Sequence, residues 1–334
     1  MKYGMVVGGP LGIVGEMAKA VEAHGFDSVW TAETSSTAYI GAALAATNTT
    51  KARIGTAIAL AFPRSPGITA MTAVDLDELS GGRFICGLGS QVKRVNEQRF
   101  STRFEHPAPK MREYALAMRA FIGGFFGEEP DFHGRFYEVS MSPWPRVTPP
   151  LRRDIPIFFA AVNARMHEVA GEVADGVVGH PMTSLEYIKQ IVLPSIEKGA
   201  LSEGRKPKDI ELAQQLIVSI CEDRSLAERE VRQQIGFYAT TRSYLPVLEL
   251  HGFADVVPML REAYQHKDMQ KLASIVSSEM AETYALFGTA DEVIEKAKKF
   301  EGVVSEATLG GPWYRVAPER LIENHQLILE TFAR

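Results

Sequence analysis

Gly25-Phe26-Asp27-Ser28-Val29-Trp30-Thr31-Ala32-Glu33 decides how this chain folds. A glycine closes a helix-type stretch, a short β-branched and aromatic run follows, and the run gives way to a polar loop carrying a carboxylate. The phrase returns as Arg53-Ile54-Gly55-Thr56-Ala57-Ile58-Ala59 and again as Gly81-Gly82-Arg83-Phe84-Ile85-Cys86-Gly87-Leu88-Gly89-Ser90. Strands alternating with helical stretches build parallel sheet, and parallel sheet gathers its chemistry at the carboxyl ends of its strands. Glu33, the stretch from Ala57 to Ala61, and Gly89 to Gln91 stand at those ends.

Working outward, Tyr3 to Val7 reads as the first strand and Ile13 to His24 as a helix closed by Gly25. Pro66-Gly67 opens a helix that runs to Leu79 and stops at Gly81-Gly82, with proline inside the start and glycine past the end. Ser90 to Pro107 has no clean period and reads as a long loop. Asp131 to Glu138 reads as a hairpin around His133-Gly134. Further strands are expected at Ile157 to Ala161, Gly176 to Gly179, Glu211 to Ile220 and Glu306 to Leu309, with a mainly helical insertion from Thr240 to Glu282. The count is about eight strand–helix units, which predicts an α/β fold closed as a (β/α)8 TIM barrel in one domain spanning residues 1–334. A doubly wound dinucleotide-binding sheet is disfavoured, because Gly8-Gly9-Pro10-Leu11-Gly12 places a proline where phosphate binding needs an amide donor.

Composition narrows the class. With 46% hydrophobic residues in 334, a sizeable core is available, and a chain of this length buries roughly three-quarters of its unfolded surface. The formal charge of −5 argues against nucleic acid as a partner. Cys86 and Cys221 are the only cysteines, which builds no disulfide framework and suits a reducing compartment. No apolar run approaches the roughly 18 residues of a membrane span and no signal peptide is read at the N-terminus, so a cytoplasmic protein is expected. The eight histidines show neither a His-Glu-x-x-His helix nor a Cys/His cluster, so no metal site is expected.

Six segments then resemble one family. Gly25 to Trp30, Ile54 to Ile58, Gly82-Arg83-Phe84 with Gly87 to Ser90, His133 to Tyr137, Ile155 to Ala161 and Ala170 to Gly176 are similar, in order, to the bacterial luciferase-like superfamily. Gly89-Ser90-Gln91-Val92-Lys93, Glu97-Gln98-Arg99-Phe100 and Ala161-Val162-Asn163-Ala164-Arg165-Met166 resemble its deazaflavin branch, which uses coenzyme F-420 in place of FMN. The resemblance implies an oxidoreductase that transfers hydride between the deazaflavin ring and a small organic substrate, and it implies a homodimer. An FMN-dependent luciferase-type monooxygenase and a non-catalytic cofactor-binding barrel are the competing readings.

It also implies where a cofactor would sit. A bulge with a non-prolyl cis peptide would fall at Ala57-Ile58, with Ala59 beside it. Glu33 would meet the ring's edge, and Ser90, Gln91 and Asn96 its side chain. From the residues themselves, Asn163 is placed to cap the helix that follows strand five. The amides from Ala161 and Val162 through Ala164 and Arg165 then form an anion site at a helix N-terminus. Arg165, Lys93 and Arg94 are candidate partners for an acidic tail. His180, directly after strand six, is the leading candidate for a proton donor, and Glu33 and His180 are the catalytic candidates. Trp313, after the last strand, is read as a wall of the pocket or as simple packing. Thr34 stands where resembling sugar-phosphate dehydrogenases carry histidine. A threonine hydroxyl is no general base near neutral pH, so dehydrogenation of that type is not expected.

Overall fold

The computed structural model describes all 334 residues. Its strands are β1 (Lys2–Val7), β2 (Ser28–Thr31), β3 (Arg53–Thr56), β4 (Ala59–Leu60), β5 (Phe84–Gly89), β6 (Asp131–His133), β7 (Glu138–Ser140), β8 (Ile157–Ala161), β9 (Gly176–Gly179), β10 (Glu211–Ile220), β11 (Ala285–Gly288) and β12 (Glu306–Gly310). Ten of them form one sheet. Within it β1, β2, β3, β5, β8, β9, β10 and β12 pair side by side, and β12 returns to β1 with Glu306 opposite Lys2 and Leu309 opposite Met5. Every pair in the ring is parallel. The expected (β/α)8 barrel is therefore closed. Strand β4 flanks the top of β5, and β11 extends the upper part of β10 from Ile217 to Ile220. Strands β6 and β7 make the separate hairpin, its turn closed by Gly134 N–H to the Tyr137 carbonyl at 2.9 Å.

The helices start and stop as their sequences dictate. Pro66 occupies the first turn of the helix Pro66–Leu79, where its missing N–H costs nothing, and the Ser65 hydroxyl accepts from the Ile68 amide at 3.2 Å. Gly81 and Gly82 follow with φ of 66° and 83°, a region that a β-carbon disfavours.

Three expectations are corrected. The stretch Ser90 to Pro107 is not loop throughout, because it contains the helix Lys93–Arg99. Only Asn96 of that helix is buried, so no apolar period marks it. The strand expected from Arg53 to Ala59 is broken after Thr56 by a bulge and resumes as β4. The region from Thr240 to Glu282 is mainly helical as expected, but it ends by feeding β11, which was not anticipated.

Inside the ring, alternation along parallel strands sends every second side chain inward. The lowest inward layer is polar. Glu306 is fully buried, and its Oε1 accepts from Ser28 Oγ at 2.6 Å, Trp30 Nε1 at 2.7 Å and Thr308 Oγ1 at 3.0 Å. Its Oε2 accepts from Arg53 at 3.2 Å, and the Arg53 fork also grips Glu211 at 2.9 and 3.1 Å. Burial works against the Arg53 charge, but the two carboxylates outweigh it and hold its pKa above the ordinary value. Above this layer lie Trp30, Ile85, Phe158, Val178 and Ala213.

Glycines make room for the large rings of that layer. A β-carbon on Gly55 would run into the Trp30 indole, and one on Gly176 into the Phe158 ring. Gly55→Ala is expected to lower stability by about 1–3 kcal/mol, the usual cost of overpacking a filled core. Urea unfolding of the variant measures it, and an unchanged midpoint would show that the indole has space to move.

Candidate active site

The layer above Trp30 and Phe158 is built from small side chains. Ala32, Gly89, Ala160 and Gly310 fall on the inward-facing positions at the tops of β2, β5, β8 and β12, with Val6 and Ile58 beside them. A β-carbon on Gly310 would have only Val6 near it, at 3.9 Å, and one on Gly8 would meet nothing within 4 Å. The barrel is thus plugged below and hollow at its carboxyl mouth. An apolar floor under a mouth whose positions on β1, β2, β5, β8 and β12 are small suits a flat ring system.

One wall of the mouth is the bulge between β3 and β4, where the Ala57–Ile58 peptide is cis. Ile58 is half-buried and leans on the inner cluster, whereas Ala59 is fully buried toward the outer helical core. Glu33 fastens this bulge. Its backbone N–H donates to the Ile58 carbonyl at 3.3 Å, and its Oε2 accepts from the Leu60 amide at 2.8 Å. Arg64 takes both carboxylate oxygens, at 3.0 and 2.6 Å, and its ring partner is Tyr39, 5.1 Å below the guanidinium. Burial opposes the Arg64 charge, and the Glu33 pairing outweighs it, leaving its pKa raised. A carboxylate engaged by three donors is a structural clamp. Glu33 therefore positions the bulge rather than offering a free acid or base.

The neighbouring strand tops carry the other anticipated residues. Ser90 lies half-buried at the end of β5, and Gln91 stands exposed at φ 56°, its Oε1 accepting from the Val92 amide. Asn96 is fully buried, and its Nδ2 donates to the Ser90 and Val92 carbonyls at 2.8 and 3.1 Å, so it staples the loop above β5. Its Oδ1 has no partner. After β8, Asn163 occupies the cap position of the helix Ala164–Val173, but its side chain makes no capping bond. Its exposed amide group and the Ala164 and Arg165 N–H groups stay free for an anion. Ala161 is buried toward the outer core, so it can offer the mouth only its backbone, whereas Val162 is half-buried. Arg165 is turned along its own helix to Glu168 and Glu172 at 3.0 and 2.8 Å. Lys93 sits 3.9 Å from Glu97, and Arg94 donates to Gln98.

His180 continues the inward-facing series Gly176, Val178, so its ring points into the mouth. Its Nδ1 accepts from the Met182 amide at 3.1 Å, and its Nε2 meets the Tyr244 hydroxyl at 2.8 Å. Burial pushes its pKa down to about 3. A neutral imidazole is a poor proton donor, which corrects the role expected from its position. Trp313 does stand as a wall, half exposed and edge-on to Phe237 at 5.4 Å.

Three residues escaped sequence reasoning. Arg64 and Tyr244 are remote in sequence from the groups they hold. Gln215 follows Glu211 and Ala213 on the inward face of β10, is half-buried, and makes no side-chain hydrogen bond within the chain. The alternation of those residues could have revealed it.

The family model described as luciferase-like monooxygenase matches residues 4–306. The chain belongs to that family. Membership makes this luciferase-like protein an oxidoreductase. It is 37% identical over 296 residues to an uncharacterized protein of Mycobacterium tuberculosis, covering 86% of this chain and 87% of the relative. It is 27% identical over 311 residues to the 5,10-methylenetetrahydromethanopterin reductase of Methanolobus tindarius, covering 90% of each. Among solved structures, the coenzyme F-420-dependent tetrahydromethanopterin reductase of Methanopyrus kandleri superimposes with a TM-score of 0.82 at 22% identity, covering 99% of this luciferase-like chain and 97% of the other.

Proposed function

We propose that the chain is a coenzyme F-420-dependent oxidoreductase acting on a small organic substrate. The observation that carries the reading is the small-residue hollow over the Trp30–Phe158 floor, walled by the bulge that Glu33 and Arg64 hold. Gly310 opens into it, since a β-carbon there would have only Val6 near it, whereas at Gly89 a β-carbon would run into the Ile58 side chain. The likeness to methanopterin reductases supports a deazaflavin over FMN.

The residues present fit such a group. Ile58 and the cis bulge would back the ring, and the Ser90–Asn96 loop, with the unpartnered Asn96 Oδ1, would face its side chain. Asn163 and the free amides of Ala164 and Arg165 would take its phosphate. When bound, the deazaflavin supplies the hydride chemistry, while the protein supplies orientation and exclusion of water. Gln215 and His180 flank the place left for substrate.

Parallel fluorescence titrations of the protein with F-420 and with FMN test the reading. Saturable F-420 binding with FMN much weaker is expected; tight FMN binding without F-420 would overturn it. Gly310→Leu is expected to fold like the parent, since the new β-carbon meets only Val6. It should weaken F-420 binding by at least about tenfold, the loss that goes with blocking a preformed apolar site. Circular dichroism checks the fold, and the same titration checks the affinity.

A further inference from the structure

A chain of hydrogen bonds at the mouth leaves one hydroxyl proton without an acceptor. A backbone N–H can only donate, so the 3.1 Å contact from Met182 makes His180 Nδ1 an acceptor. The neutral ring then carries its single hydrogen on Nε2. Tyr244 Oη lies 2.8 Å from that nitrogen, so with the hydrogen on Nε2 the histidine is the donor of this pair and the tyrosine accepts. No other group of the chain bonds the Tyr244 hydroxyl. Its own hydrogen is therefore free. Burial raises the Tyr244 pKa, which keeps the hydroxyl protonated.

The surroundings say what kind of molecule would meet it. The His180 ring stacks on Tyr244 with centroids 4.3 Å apart and meets Tyr238 edge-on at 4.8 Å. Phe237 continues the wall, stacked on Tyr314 at 4.2 Å and edge-on to Trp313. The buried Gln234 holds the far end, its Oε1 accepting from the Trp313 and Tyr314 amides at 3.0 and 2.9 Å. None of the cations that sit over aromatic rings in this protein lies over a ring of this wall. The wall is aromatic, no cation lies over its rings, and one hydroxyl donor stands at its β9 end.

We propose that Tyr244 donates a hydrogen bond to the carbonyl or imine acceptor of a flat, uncharged substrate lying along this aromatic wall, with His180 as the residue that positions Tyr244. The inference rests on the oxidoreductase reading only in placing a substrate at this mouth. Donation to the acceptor atom draws negative charge onto it and leaves the adjoining carbon more electrophilic, which is what a hydride acceptor requires.

Acetophenone labelled with 13C at the carbonyl is the probe, and ethylbenzene, of similar shape without the acceptor, is the control. The full-length protein is expected to bind acetophenone more tightly, with the carbonyl resonance moved to higher frequency. Tyr244→Phe should lose that movement and about fivefold in acetophenone affinity, a single neutral hydrogen bond's worth, with ethylbenzene unaffected. His180→Ala should reduce the movement without abolishing it. 15N spectra of the parent protein, which need no variant to fold, should show His180 with its hydrogen on Nε2. Absence of acetophenone binding, equal binding of the two probes, a carbonyl movement that survives in Tyr244→Phe, or hydrogen on Nδ1 would each overturn the proposal. A separate F-420 titration distinguishes the two readings. F-420 binding without ketone preference sinks this inference alone, and ketone preference without F-420 binding sinks the cofactor reading alone.

Discussion

Glu306→Ala is expected to destabilise the fold by about 3–5 kcal/mol, the combined cost of buried donors left without their acceptor and of the cavity the side chain leaves. Four donors converge on this one carboxylate: Ser28, Trp30 and Thr308 on Oε1, and Arg53 on Oε2. Alanine takes the acceptor from the two buried hydroxyls, leaves the indole N–H with Ser28 Oγ alone, and leaves Arg53 with Glu211 alone. Glu306→Gln keeps an oxygen for the three neutral donors and should lose less. The measurement is the urea midpoint of each variant against the parent. A loss under about 1 kcal/mol for alanine would mean that the lower barrel admits solvent or that Arg53 re-pairs fully.

Acid should weaken the fold well before most carboxylates titrate. Burial holds three histidines neutral, with pKa pushed down to about 3 at His180, about 4 at His167 and about 4 at His325. An unfolded histidine titrates near 6.5, so between about pH 6.5 and 4 the unfolded chain binds more protons than the folded one. Stability therefore rises with pH across that window and falls on acidification. With up to three protons involved, the slope approaches about 4 kcal/mol per pH unit at its steepest. Glu211, whose pKa is lowered by Arg53 against the effect of burial, extends the same trend to lower pH. Urea unfolding at pH 7, 6 and 5 should show a falling midpoint, with a shallower fall in His167→Phe. A midpoint that is flat from pH 7 to 5 would contradict the burial of these rings.

The ring of eight strands was legible because β2, β3 and β5 repeat one phrase, a β-branched or aromatic run that ends in a polar or glycine-containing loop, and the second half repeats it less regularly. Strand β11 escaped because Ala285–Gly288 is four residues without alternation, directly after a helix. The helix Lys93–Arg99 escaped because it is polar on nearly every face. At the site, sequence position placed Glu33 and His180 at the mouth but not their roles. Those depend on Arg64, 31 residues from Glu33, and on Tyr244, 64 residues from His180. Neither partner lies at a spacing that a helix or strand would reveal, because the insertion after β10 delivers Tyr244 through tertiary packing. The hollow itself is written in single small residues on separate strands, visible only once the register between strands is known.

The most direct test of a deazaflavin at this mouth is what the protein carries when purified from a host that makes both F-420 and FMN, read by absorbance and mass spectrometry. Copurified deazaflavin, depleted in Gly310→Leu, is the predicted result. FMN in its place, or no chromophore in a folded protein that also fails to take up F-420, would contradict it.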